Sequence, residues 1–405
     1  MNADKAPVAP KVFLPRAVIV LSLVSFLNDS ASEMITPLLP LFLTATLGAG
    51  PMIIGFIEGL AEATASFLKF YSGRLADKGW PAKKLVLSGY SLSNFSRPLI
   101  GFALGWPFVL MMRFFDRIGK GIRSSPRDAI ISSSTDTANR GKAFGFQRAL
   151  DNLGAMVGPL LAYILLSYQV QLQQVFFMSV IPGALVLLLL WFGLPASARV
   201  QVPKKSMTLP KWSQLDAHFK GLLVASAGLA LATAPEVFLI LWATDKGLIL
   251  SFVPLVWAAA STGKALISIP AGQLSDKLGR KPILVLGWSL RVVTLLLLAY
   301  YPVSNHLIWV FFLSYSASLG LTEGAERALI GDFAPEDFKA SAFGLYHMTN
   351  GLFALPGALL FGTVWQWYGG SNAFVMAALL TLSSIVLLSI MTASSKLPTS
   401  NGNPK

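Results

Sequence analysis

Residues 73–78 read GRLADK and residues 272–277 read GQLSDK, 199 positions apart. The same offset relates AFG at 143–145 to AFG at 342–344, and RDAII at 127–131 to ERALI at 326–330. Matches repeated at one offset describe a chain written twice. Around them run apolar stretches of about 20 residues, the length a helix needs to cross a bilayer. Twelve such runs lie between polar or Pro/Gly breaks, at 17–44, 51–71, 85–104, 107–133, 142–167, 174–197, 218–243, 251–270, 283–301, 307–330, 341–366 and 373–393. Each matched pair falls at the same place in its set of six. The expected fold is an all-α polytopic membrane protein: twelve transmembrane helices in two pseudo-symmetric halves, related by an axis along the membrane normal.

Composition agrees. Of 405 residues, 54% are apolar and 13% are charged, against about a quarter charged in a soluble domain. That balance excludes an ordinary soluble enzyme and a disordered chain, and the lack of Cys excludes a disulfide scaffold. The first run is too long for a cleavable signal peptide, carries Asn28, Asp29 and Glu33, and has no small-residue cleavage site. The longest polar stretch between helices, 198–217, separates an N-terminal half (1–197) from a C-terminal half (218–405).

The net charge of +13 reads as an orientation device rather than a nucleic-acid surface. With the N-terminus in the cytoplasm, the cytoplasmic segments hold 20 Lys/Arg, the outside loops hold only Lys246, and 11 lie within helices. This is the positive-inside pattern. It places both termini on the cytoplasmic side of a cell (inner) membrane.

These residues resemble the major facilitator superfamily. GQLSDKLGRKP (272–282) is similar to its loop motif, through Gly272, Asp276, Lys277, Gly279 and Arg280. The loop at 73–84 keeps Gly73, Asp77 and Lys78 and then departs, with Trp80, Pro81 and Ala82. Gly154-Ala-Met-Val-Gly158-Pro159 resembles the element associated with antiporters, and Arg113-Phe-Phe-Asp116 partly resembles one proposed for proton transfer. The resemblance covers about residues 16–395. It implies a secondary transporter that rocks its two halves about a central cavity, similar to bacterial drug/proton antiporters. It further implies that helices one, four, seven and ten line the cavity and three, six, nine and twelve lie outside. Helices six and twelve carry no charge, whereas helix four carries Arg113, Asp116, Arg117, Lys120, Arg123, Arg127 and Asp128. Lipid-facing charge is costly, so this distribution suits that arrangement.

Driving cargo uphill needs a group that gains and loses a proton, and carboxylates in low dielectric do so. The candidates are Asp29 and Glu33 on helix one and Glu58 and Glu62 on helix two, each pair at i, i+4 on one face, with Asp116 in reserve. Glu62 and Asp29 rank first by depth. The other reading is that Arg or Lys neutralises these acids, or that they line an outer vestibule. On helix four, Asp116, Lys120, Arg123 and Arg127 share a face, flanked by Arg113 and Arg117. That stripe suits an anionic cargo; alternatively Arg123 and Arg127 pair with Asp128 or Asp77 as a gate.

Arg127-Asp128 becomes Glu326-Arg327 in the second half, an inverted order that would let the halves meet through complementary charges. Asp77 and Asp276 are expected at the first turns of helices eleven and five, where a carboxylate is stabilised. Arg148 and Asp151 lie at i, i+3 and could pair. Lys264, Glu323 and His347 are further candidates for cargo contact or internal pairing. Gly154, Gly158 and Pro159 read as close helix packing and a bend.

No HxxxxD, GxSxG or phosphate-loop pattern supports an enzyme. His218, His306 and His347 have no second ligand at metal spacing. No metal and no cofactor is expected, and a monomer is. Three functions remain: proton-coupled export of a small amphipathic compound, movement of an anionic metabolite or metal chelate, and a non-transporting sensor on the same scaffold.

Overall fold

The computed structural model describes residues 14–77, 80–136, 139–194, 215–302, 305–333 and 339–391. Most of the 198–217 segment, together with Lys78 and the Asp77 side chain, lies outside them. Twelve helical spans run through the described residues: α1 Arg16–Thr46, α2 Pro51–Asp77, α3 Ala82–Leu99, α4 Trp106–Ser133, α5 Arg140–Ser167, α6 Leu172–Gly193, α7 Ala217–Asp245, α8 Val253–Leu278, α9 Arg280–Tyr300, α10 Asn305–Phe333, α11 Lys339–Tyr368 and α12 Gly370–Met391. Ten are long and apolar enough to cross a membrane. The other two are α3 and α4. Their polar groups face each other rather than lipid: Ser93, Asn94, Ser96 and Arg97 of α3 and Arg113, Asp116 and Arg123 of α4 are all buried.

Besides a one-residue break in α6 at Ser179, two helices are interrupted, and both open a half. α1 leaves the helix after Ile35, at Pro37, and resumes at Leu39; α7 stops at Ala232 and restarts at Glu236 after Pro235. Proline lacks the N–H that would continue the ladder. Discontinuous helices occur in transporters where the freed backbone lines a cavity.

The halves touch along two related seams, α2 on α11 and α5 on α8. Close approach of α2 and α11 depends on missing side chains. A Cβ at Gly55 would lie 2.3 Å from the Ala358 carbonyl oxygen, and one at Gly362 2.5 Å from that of Pro51. Within the N-terminal half, Gly154 and Gly158 lie against the backbone of α1 in the same way, where a Cβ would fall 2.5 Å from the Phe26 and Ser30 carbonyl oxygens. Small residues are how membrane helices gain packing contact where water supplies no driving force.

The apolar cores show how the halves meet. At the end holding the short loops 47–50 and 246–249, one core joins both halves: Leu38, Phe42, Ile54 and Ile57 pack with Phe238, Ile240, Trp242 and Phe361. At the other end, the terminal end, where the described residues begin at Leu14 and finish at Met391, there are two cores. Val18, Leu21, Val86, Tyr90 and Ile131 belong to the first half; Phe219, Leu222, Leu284, Trp288 and Leu329 belong to the second. The molecule is therefore sealed at its loop end and divided at its terminal end. Exposed aromatics mark both ends, with Tyr168, Tyr300, Trp367 and Tyr368 at one and Trp80, Trp191 and Phe192 at the other, as at membrane interfaces.

Candidate functional site

A cavity of about 1180 Å³ lies between the halves. The shared core closes it at the loop end, and it continues between the separate cores toward the terminal end. Its lining includes the broken segments of α1 and α7, at Thr36, Thr233 and Pro235, and one face each of α2, α4, α5 and α11.

Of the five candidate proton carriers, Asp29, Glu33, Glu58 and Glu62 line this cavity. Glu58 is committed: both its oxygens accept from Arg113 Nη2, at 2.7 and 2.9 Å. The other three have hydrogen-bond donors but no salt bridge within 4.0 Å among the described residues. Asp29 accepts from Asn28 at 3.1 Å, Glu33 from Trp257 Nε1 at 2.8 Å, and Glu62 from Ser66 at 3.4 Å. The Glu33–Trp257 bond joins α1 to α8, across the two halves. Asp116 sits away from the cavity, 1% exposed, bound to Arg97 at 2.9 Å and near Arg113 at 3.7 Å. Arg97 continues to Asn28 of α1 at 3.0 Å. This buried network fastens α1, α2, α3 and α4 together.

The helix-four stripe divides by environment. Arg117 and Lys120 face the cavity and make no side-chain hydrogen bond or salt bridge among the described residues; Arg117 Nε is buried without an acceptor. Lys69 of α2 lines the same cavity, on the helix face that carries Glu62. Arg123 also borders the cavity, but its guanidinium donates to Ser93 and lies 4.6 Å from the Tyr90 ring. Arg127 binds Asp128 at 2.9 Å and Ser25 at 2.9 Å.

Several expected pairings are corrected. Arg148 does not pair with Asp151. It binds Glu323 of α10 at 2.7 Å across the halves, and Glu323 also binds Arg327. Asp151 accepts from Gln147 at 2.6 Å instead. The inverted Arg127-Asp128 and Glu326-Arg327 pairs do not meet; Glu326 accepts from Tyr346 Oη and Trp288 Nε1 within its own half. Asp276 is not received by a helix start. Its carboxylate is 66% exposed and bound to Arg280, which also reaches Asp332 at 3.5 Å. The turn between α8 and α9 permits this: Gly279 has φ +96° and ψ 154°, a backbone region that is essentially glycine's alone. The last two differences share a cause: away from the Arg148–Glu323 bridge the terminal ends of the halves stand apart, so Glu326 and Asp276 find partners in their own half. Lys277 is exposed beside the same turn; Gly73 packs toward Ser125, and Gly272 has open space around it.

Lys264 pairs with Glu236 at 3.8 Å, and His347 lines the α11 wall. Sequence reasoning did not single out Lys69, Trp257 or Glu236. Glu236 had a signal in its position directly after Pro235 inside an apolar run. Lys69 lies seven residues after Glu62, on the same helix face.

Interrupted helices around a polar cavity between two related halves are the architecture of a membrane transporter. The sequence model of the Major Facilitator Superfamily matches residues 21–261 and 221–405, and the chain belongs to that superfamily as a multi-pass membrane protein. It is 33% identical over 388 residues to an uncharacterised MFS-type transporter of Methanocaldococcus jannaschii, spanning 93% of this chain and 95% of that one. It is 27% identical over 136 residues to the multidrug resistance protein MdtH of Photorhabdus laumondii, a third of each chain. In structure it resembles the nucleoside transporter NupG, with a TM-score of 0.74 at 15% identity over 94% of this chain and 100% of that one.

Proposed function

We propose that the chain is a secondary active transporter that couples proton entry to export of a small amphipathic compound across the cell (inner) membrane. It acts as a monomer with both termini in the cytoplasm. One observation carries the reading: Asp29, Glu33 and Glu62 stand in the cavity between the halves without a salt bridge among the described residues, where they can take up and release a proton as the halves rock. With the termini inside, the state described here faces inward. The Asp276–Arg280 pair, and Asp77 in the other half, then act on the cytoplasmic gate. Export rests on the likeness to MdtH and on the Gly154–Gly158–Pro159 element. A second reading, an anionic metabolite or metal chelate as cargo, is favoured by the unpartnered Arg117 and Lys120.

The test is flux in vesicles. Glu62→Gln and Asp29→Asn should abolish proton-driven flux and leave gradient-free exchange. Full driven flux in these and in Glu33→Gln would remove the carboxylates from coupling. Orientation is tested separately: Cys at Ser206 should label only from inside, and Cys at Gly48 only from outside.

A further inference from the structure

We propose that the cavity takes an organic oxyanion with a flat apolar body. The oxyanion sits against Lys69, Arg117 and Lys120 of the first half, and the body lies against the Trp257 wall of the second. This assignment rests on the cavity being a cargo site, as proposed above, and goes further by fixing the cargo's charge and shape.

The hydrogen-bond inventory decides the sign. Asp29, Glu33 and Glu62 each already accept from a protein donor, and Glu236 faces Lys264. The cations do not have the converse. A guanidinium carries five N–H donors and each ammonium three, yet the Arg117, Lys120 and Lys69 side chains meet no acceptor among the described residues, and Arg117 Nε is buried bare. A ligand entering here completes the site by bringing acceptors. A carboxylate, phosphate or sulfonate does so with charge assistance, and the planar fork of Arg117 suits paired oxygens. A cationic ligand would meet three uncommitted positive charges.

The opposite wall supplies the shape. It is built from Ala230, Pro235, Trp257, Leu319, Ala354 and Ala358. Of the charged side chains on this side, Glu236 pairs with Lys264 and Arg327 with Glu323; the imidazole of His347 is the further titratable group here. A ligand spanning the cavity is thus charged toward the first half and apolar toward the second, with an indole edge to pack on. Glu62 lines the same cavity, on the α2 face that carries Lys69. The other groups around it are Asp29 and Glu33 on α1, Glu58 on α2 and His347 on α11.

The experiment measures binding to the full chain in lipid nanodiscs by titration calorimetry. The probes are naphthoate, naphthyl phosphate, naphthamide, naphthylmethylammonium, acetate and inorganic phosphate. Both naphthyl anions should bind. The amide and the ammonium should bind at least about tenfold more weakly, matching the loss of a charge-assisted contact. Acetate and inorganic phosphate should be weaker too, for want of a body. Lys120→Gln should lower naphthoate affinity about tenfold, and Trp257→Ala should weaken naphthoate more than acetate. Arg117→Gln should lower naphthoate affinity likewise, and if that variant does not fold, Lys120→Gln decides alone. The proposal is overturned by amide or ammonium binding as tightly as naphthoate, by unchanged affinity in Lys120→Gln, or by neither naphthyl anion binding at millimolar concentration. Binding of the anions without flux in vesicles would leave this assignment standing and sink the transporter reading.

Discussion

The two halves share a packing frame and differ in chemistry. The α2–α11 and α5–α8 seams are related by the duplication, and both halves begin with a helix broken near a proline. The ions do not repeat. At the offset of 199, Lys69 corresponds to Ser268, Glu62 to Ser261, Glu58 to Trp257, Arg117 to Ser316 and Lys120 to Leu319. The first half therefore presents Lys69, Arg117 and Lys120 without hydrogen-bond acceptors among the described residues, and at the equivalent positions the second presents hydroxyls, Leu319 and an indole, its charged Glu236 and Arg327 being paired. The two halves keep the same seams and differ in which charges they leave unpaired.

The largest expected effect concerns that asymmetry. Replacing Glu62 by Gln should abolish proton-driven flux, while removing the equivalent hydroxyl (Ser261→Ala) should leave it nearly unchanged. Equal effects would mean that the halves share the coupling role. Next is a transplant. Leu319→Lys combined with Lys120→Leu moves the cation across the cavity and should not restore oxyanion binding, because Glu62 and Arg117 stay behind. Restored affinity in the calorimeter would show that only the charge, and not its wall, matters.

A smaller effect tests the frame. Gly55→Leu puts a side chain where even a Cβ would meet the Ala358 backbone. Overpacking of this kind costs about 1–3 kcal/mol. It should lower the melting temperature and raise labelling of a Cys at Ile57 from outside, as the loop end is forced open. Unchanged labelling would argue against α2–α11 as the outer seal. The smallest effect is at Arg148→Gln. Its bond to Glu323 crosses the halves, but the two side chains are 53% and 33% exposed. Exposed pairs contribute about 0–1 kcal/mol, so stability should stay almost constant, and only the balance between the two facing states should shift. A marked drop in melting temperature would show that this pair holds the halves together.

Much of this was legible in the sequence because it is periodic or repeated. The duplication, the helices and the concentration of charge on α4 all follow from spacing. The pairings were not legible. An i, i+3 spacing suggested Arg148 with Asp151, but the partner stands on another helix of the other half, which no local rule reaches. Asp116 shared a helical face with Lys120, yet one packs against Arg97 of α3 and the other opens on the cavity. A small rotation about the helix and a neighbouring helix separate a structural ion from a free one. The contrast between Lys120 and Leu319 was present in the offset from the start, and it gained meaning once the cavity placed the two on opposite walls.

The most direct test follows the two ends of the molecule together. The chain has no Cys, so spin labels can be placed without background, one pair at Leu47 and Leu248 on the loop end and another at Thr135 and Phe333 on the terminal end. Distances are then measured in nanodiscs by pulsed electron resonance in acidic and alkaline buffer. If protonation of the cavity carboxylates drives the rocking, the loop-end distance should grow as the terminal-end distance shrinks, and Glu62→Gln should hold one distribution at both pH values. Distances at both ends that ignore pH, or that change in the same sense, would contradict the account.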